Sequence, residues 1–394
     1  MTRRRGKATK GKPGEDLVPV SPRPRVPASA LTRVSASVFK SVPSLAAGVL
    51  ICMGLALIAG AGPLDLLRTI WMGSWGSAEA AVNTLAKITP LLLAGLAVAL
   101  AYRVGLLNIG CEGQLTIGAL VSAVVAVAAA KLPAFLLLPL TLAAGAVSGG
   151  LWALPAVLLR HRKGVHEVIS TLLLNYMAIY LCAYLVSGPL GDGTAMGRTP
   201  LIPSGAEMPE IFRSGSLFLT AAPFIALVFC FGAGVWLSKT ARGFEAVAAG
   251  TNFDAAVNAG ISASKLQITI FAVSGALAGL AGALEVCAVH HRFYRSFSPG
   301  YGFDGLTAAF LANGSPEWLW LSTLFLGSLR SSDKLLQIGL DLSPNFILIV
   351  QAVLLLSVAC QAHMRLWLET LSSRIRAGAR KNVPSAEPDR TDAR

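Results

Sequence analysis

Ile88-Thr-Pro-Leu-Leu-Leu-Ala-Gly-Leu-Ala-Val-Ala-Leu-Ala-Tyr-Arg-Val104 is an apolar run whose only charge, Arg103, comes next to its end. A bilayer core about 30 Å thick takes about 20 mostly apolar residues as one helical span, and this run approaches that length. Comparable runs are Val42–Gly62, Gln114–Ala130, Ala134–Leu159, Val168–Ser187, Leu217–Leu237, Leu266–Val289 and Phe346–Cys360, while Gly302–Leu311 and Trp318–Leu329 are shorter. Hydrophobic residues make up 54% of the 394-residue chain and charged residues 13%, against about 25% charged in a soluble domain. A soluble chain has nowhere to bury so much apolar surface. The expected fold is all-α, a polytopic transmembrane helical bundle of about ten spans. A short or re-entrant segment is expected near 301–314, where glycines and the Asn313-Gly-Ser-Pro316 break interrupt the pattern.

The formal charge of +13 sits beside the apolar runs. Arg3, Arg4, Arg5, Lys7, Lys10, Lys12, Arg23 and Arg25 precede the first run, and Arg365, Arg374, Arg376, Arg380 and Lys381 follow the last. Arg160, Arg162, Lys163, Lys239 and Arg242 occupy connections. Lys and Arg are retained on the cytoplasmic side, so both tails are expected there, in a multi-pass membrane protein. The basic tails lack the interleaved aromatics of a single-strand binder, so the lipid bilayer, and no nucleic acid, is the expected partner of this charge. Residues 1–41 read as a disordered basic cytoplasmic tail, 42–363 as the transmembrane domain and 364–394 as a second basic tail. Trp71 and Trp75, in a segment expected outside, suit an interfacial belt. Val42–Gly62 is too long for a signal-peptide core and lacks a clear cleavage site, so it reads as a retained span.

Several chemistries are not encoded. No G-x-x-x-x-G-K-[ST] is present, so the chain has no nucleotide loop of its own, and no H-E-x-x-H or G-x-S-x-G occurs. The six cysteines lie in or beside apolar runs without a C-x-x-C pair, which suits buried small hydrophobes rather than disulfides or zinc. His290-His291 reads as a solvated or interfacial pair. No catalytic set, metal site or cofactor is expected.

The informative positions are polar groups in apolar surroundings, which are costly in a membrane and point to function. Asn108-Ile-Gly-Cys-Glu-Gly-Gln114 lies between two runs, with Gly105, Gly110 and Gly113 permitting unwound backbone. Such backbone is tolerated at depth only when buried in protein or lining a cavity; Asn108, Glu112 and Gln114 would then serve a polar solute. An ordinary cytoplasmic turn accounts for the stretch equally well. Asn175-Tyr176 lies within a run, where Asn175 suits an interhelical hydrogen bond. Glu285 lies late in another, and Phe303-Asp304 opens the Gly-rich segment, where Asp304 could cap a helix. Ser274–Ala283 carries Gly275, Gly279 and Gly282 nearly on one helical face, a close-packing signal. The connection 239–265 is long and alanine-rich, and a short helix of small residues can enter a groove on a partner.

Asp254-Ala-Ala-x-x-x-Gly260 resembles the "EAA" coupling motif of ABC-importer permeases, with Asp for Glu. Gly105–Gln114, His166-Glu-Val-Ile-Ser-Thr-Leu-Leu-Leu-Asn-Tyr176 and Gly300-Tyr-Gly-Phe-Asp-Gly305 are similar to motifs of the branched-chain amino acid/ribose/nucleoside permease family, most like its nucleoside branch. The resemblance spans about residues 85–362, with Cys111 where the family has a small residue and His166 where Asn is common. It implies a permease subunit of an ABC importer for nucleosides, in a bacterial inner membrane, that is not itself an enzyme. ATP would be hydrolysed by ABC ATPase subunits docked on loop 239–265, through Arg242, Gly243, Asp254, Ala255, Ala256 and Gly260. A second permease subunit, homologous or identical, would complete the pathway, and an extracytoplasmic solute-binding lipoprotein would deliver solute. Asn108, Glu112, Gln114, Asn175, Tyr176, Glu285, Phe303 and Asp304 would line the pathway. The alternatives are a sugar or branched-chain amino acid permease of the same family, or an ion-driven transporter with Glu285 and Asp304 as cation sites.

Overall fold

The computed structural model describes residues 46–360, apart from 216 and 344. The expected tails, and residues 42–45 of the first run, lie outside these. Helix α1 (Ala46–Ile58) and α2 (Pro63–Trp75) form a pair bent by 106°. Gly60 takes a left-handed φ of 86° at the bend, and Pro63 starts α2, where a missing N–H costs nothing. Trp75 is no free belt residue: its Nε1 donates to Ser328 Oγ at 2.9 Å.

Helix α3 spans Ala78–Arg103, α4 Cys111–Ala128, α5 Ala134–Lys163 and α6 Glu167–Ser187. The first begins ten residues before the apolar run Ile88–Val104, because Ser77 caps the backbone N–H of Ala80 and Ala78-Glu-Ala-Ala favours helix without being apolar. Expectation and structure part over Leu217–Leu237. Leu217–Thr220 is strand β2, paired antiparallel with β1 (Glu210–Ser214) in the connection between α6 and α7. Helix α7 (Ala222–Lys239) starts only after it, with Pro223 in its first turn. Short α8 (Ala241–Thr251) and α9 (Phe253–Asn258) follow, then α10 (Ala263–Glu285) with a π turn over Val286–His290. Helices α11 (Tyr301–Leu311), α12 (Pro316–Leu340) and α13 (Phe346–Ala359) complete the bundle.

Among the described residues, α3, α4, α5, α6, α7 and α10 are long and apolar enough to cross a membrane, and the α1/α2 pair makes a seventh if counted as one span. Eleven residues of α11 rise only about 16 Å. The 25 residues of α12 are long enough, but Arg330, Asp333 and Lys334 interrupt their apolar character. The chain is thus a mostly helical, multi-pass membrane protein.

The centre is α10, packed on α3, α4 and α5. A Cβ on Gly279 would lie 2.3 Å from Gly145 O, and one on Gly282 would lie 2.1 Å from Leu115 O. These contacts are backbone to backbone, as the small-residue face predicts. Gly279→Val would force the helices apart, an overpacking cost of about 1–3 kcal/mol or more. We expect it to lose most of its monodisperse peak on size-exclusion chromatography of detergent extracts. Gly232→Val, on the outward face of α7 with nothing within 4 Å of its Cβ, should keep the wild-type profile. Equal loss in both would contradict this packing.

Candidate translocation site and coupling helices

The chain leaves helical geometry after α3, turning at Gly105 with φ 76°. Gln267 Nε2 of α10 donates to Val104 O at 2.8 Å, closing the end of α3. The segment that follows turns back into the bundle. Asn108 is wholly buried, and its Nδ2 donates to Gln114 Oε1 and to Ser274 Oγ, each at 2.8 Å. Its Oδ1 accepts from Gly110 N and Gln114 Nε2, each at 3.0 Å. Ser274 in turn donates to Ala97 O at 2.6 Å. Ser274 is eleven residues into α10, about 17 Å along its axis, so the turn sits deep and is not a solvated connection. Asn175 of α6 fastens its other side, accepting from Gly113 N and donating to Ile109 O at 2.8 Å each. Glu167 Oε1 accepts from Leu107 N and its other oxygen pairs with Arg160. Asn108, Gln114 and Asn175 therefore spend their polar atoms on the protein's own backbone and side chains, as buried polar groups must.

Glu112 projects the other way. Its Oε2 accepts from Gly302 N at 2.7 Å, a first-turn N–H of α11 that lacks an intrahelical partner. Helix approach here leaves no room for a side chain on Gly302, whose Cβ would meet Glu112 N at 2.3 Å. Asp304 does not cap α11. Ser298 Oγ accepts from Gly300 N and Tyr301 N instead, and Asp304 Oδ2 accepts from Arg330 Nε at 2.7 Å. Arg330 also donates to Pro299 O, and Lys87 Nζ donates to Arg330 O at 2.9 Å. Sequence reading missed both cations, since Arg330 falls one residue past the run Trp318–Leu329 and Lys87 one residue before Ile88. A charge abutting an apolar run was their only signal.

The remaining expected positions are dispersed. Glu285 Oε1 lies 3.5 Å from His290 Nε2 at the C-terminal end of α10. Phe303 is partly exposed, and Tyr176 is exposed on α6 in register with exposed Tyr180 and Tyr184 at i+4 and i+8. That aromatic stripe was legible as spacing and not singled out. The structure joins Asn108, Glu112, Gln114 and Asn175 around the turn, sets Asp304 and Phe303 next to it on α11, and leaves Glu285 and Tyr176 apart.

On the other side of the turn lie the paired helices of loop 239–265. Thr240 caps α8 by accepting from Gly243 N, and Asn252 caps α9 by accepting from Ala255 N, each at 3.0 Å. Gly243 packs on the end of α7 against Trp236 O. Ala256 is buried with Ala249 and Ala263, while Arg242, Asp254, Ala255 and Gly260 face outward. Gly260 ends α9 at φ 84°. The residue that sequence reading passed over is Gly250. A Cβ there would meet Arg103 O at 2.2 Å and Gly105 N at 2.8 Å, so α8 rests on the base of the deep turn. A cavity of about 410 Å³ opens beside this contact, lined by Tyr102, Gly105, Leu107, Glu167, Gly250 and Phe310.

Removing one member of a buried ion pair costs about 3–5 kcal/mol, whereas replacing both by apolar residues is often neutral. Arg330→Met should therefore lower the thermal midpoint of the purified protein sharply, and Arg330→Met with Asp304→Leu should recover much of the loss. A double variant as damaged as the sum of the singles would argue against this pairing.

No solved structure matches the chain. Among curated proteins it is 33% identical to the guanosine ABC transporter permease protein NupP of Bacillus subtilis, over 82% of this chain and 91% of that one. It is also 33% identical to the glucose ABC transporter permease protein TsgB13 of Haloferax volcanii, over 77% and 82%. The nucleoside ABC transporter permease protein NupB of Lactococcus lactis is 30% identical over 72% and 80%. The family described as "Branched-chain amino acid transport system / permease component" matches residues 80–359, a stretch that holds the deep turn, the ion pair and both loop helices. The chain belongs to that family and is the permease component of an ABC transporter, a membrane subunit and not an enzyme.

Proposed function

We propose that this permease imports nucleosides, taking solute from an extracytoplasmic solute-binding lipoprotein and using ATP hydrolysed by ABC ATPase subunits. The chain itself binds no cofactor, and a second permease subunit, identical or homologous, completes the pathway. The observation that carries the mechanism is Gly250 of α8 packed on Arg103 O and Gly105 N. Movement of α8 by an ATPase is passed directly to the turn that ends in Glu112. Arg242, Gly243, Asp254, Ala255, Ala256 and Gly260 shape the surface that the ATPase grips. Asn108, Gln114 and Asn175 hold the turn. Glu112, Phe303 and Asp304 border the path where α11 begins, Tyr176 faces the second permease subunit, and Glu285 stands at the outer end.

Ten crossings with both termini cytoplasmic fit the antiparallel neighbours. Gly48 of α1 abuts Ser357 of α13 and Cys52 Sγ lies 3.9 Å from Val350 O. Gly95 of α3 abuts Leu319 of α12, and Asn83 meets Ser331. The stretch 291–300 with α11 makes one crossing in two parts, from His290 outside to Phe310 beside Tyr102 at the inner end of α3. Residues 42–363 then form the membrane domain between two cytoplasmic tails.

The guanosine and nucleoside permeases among the relatives favour a nucleoside, and TsgB13 supports a second reading as a sugar permease. Proteoliposomes holding the complex and its receptor should take up labelled guanosine, with competition from nucleosides and none from glucose. Competition from glucose alone would favour the sugar reading. Gly250→Val should leave the complex assembled and hydrolysing ATP while uptake falls at least about tenfold, a loss of about 1.4 kcal/mol in coupling. If Gly250→Val and Gly260→Arg both transport normally, or no ATPase copurifies, the coupling reading fails.

A further inference from the structure

Two buried oxygens, one midway along α3 and one at the C-terminal end of α10, have no hydrogen-bond partner among the described residues: Thr89 Oγ1 and Glu285 Oε2. Thr89 is 3% exposed and Glu285 4%. Both side chains line the same small cavity of about 10 Å³, walled otherwise by apolar groups such as Ala86, Phe218 and Ala288, with Thr220 at the end of β2. Buried polar atoms almost always find partners, and an unpartnered carboxylate oxygen is the costlier kind to leave. A cavity of this size holds about one water and nothing larger.

We propose that a single internal water bridges these two groups. The Thr89 hydroxyl donates to the water, and the water donates to Glu285 Oε2. The other carboxylate oxygen already faces His290 Nε2 at 3.5 Å, and that nitrogen lies 3.3 Å from Tyr294 Oη. A polar chain thus runs from Thr89 of α3 through the water to Glu285, His290 and Tyr294. It ties α3 to the π turn where β2 packs over both. In this arrangement Glu285 is a positioning residue for the outer mouth, whatever solute the transporter carries.

A density map of the intact complex in nanodiscs, at about 2.2 Å or better, tests the assignment directly. It should show one peak within about 2.6–3.2 Å of both oxygens. An empty cavity, or a direct bond between the two side chains, would overturn it. Thermal melts supply a second reading. Thr89→Val should lower the midpoint by about 1–4 °C, and Thr89→Ser, which keeps the hydroxyl, should match wild type. Thr89→Val and Glu285→Met should be non-additive, because each removes the same bridge; strictly additive shifts would contradict it. Replacing sodium chloride by potassium or choline chloride should leave the midpoint unmoved, and a sodium-specific rise would place a metal ion there instead.

Discussion

Backbone that leaves helical geometry within a bilayer must find its hydrogen bonds inside the protein. The stretch Gly105–Gly110 does so through the side chains of Asn108, Asn175 and Glu167 and the last carbonyls of α3. Asn108 uses both donors and its acceptor oxygen at once, binding Gln114, Ser274 and the backbone of Gly110. Asn175 closes the opposite side from α6. The rest of the pathway depends on this arrangement. It places the start of α4 in the interior of the bundle, points Glu112 at the N-terminus of α11, and leaves the base of the turn within reach of α8.

The scaffold around the turn is stiff where it is made of glycine. The close approaches of α10 to α4 and α5 leave no slack for side chains at Gly279 or Gly282. Packing of this kind tends to shift between discrete arrangements, because a close-packed interior does not deform continuously. On the proposed mechanism the lever is α8 with α9, which meets the centre through α3 and α10 at fewer points than the glycine-packed helices do. A permease that takes its energy from a partner needs such a division between a rigid centre and a movable lever.

Much of this was legible in the sequence. Apolar runs located the long helices, since lipid demands about 20 apolar residues per span. The small-residue face of Ser274–Ala283 identified the closest packing correctly. What the runs could not show was where a helix continues beyond its apolar part. Helix α3 gains its first turns from Ala78-Glu-Ala-Ala, and α12 continues through Arg330 and Asp333. Leu217–Thr220 was read as the start of a span because a short apolar strand and a buried helix segment look alike over four residues. At the site, the polar islands at 108–114, 175 and 304 stood out because polarity in an apolar setting is costly. Their partners did not. Ser274 lies 166 residues from Asn108, Arg330 is 26 from Asp304, and Gly250 carries no side chain by which its contact with Arg103 could be anticipated.

The central claim is that α8 and the deep turn move as one. Hydrogen exchange of the assembled complex, measured by mass spectrometry with and without trapped ATP, tests it most directly. Peptides covering 241–251 and 105–114 should change their exchange together when nucleotide binds. A change confined to 241–251, with 105–114 as protected as before, would contradict the account.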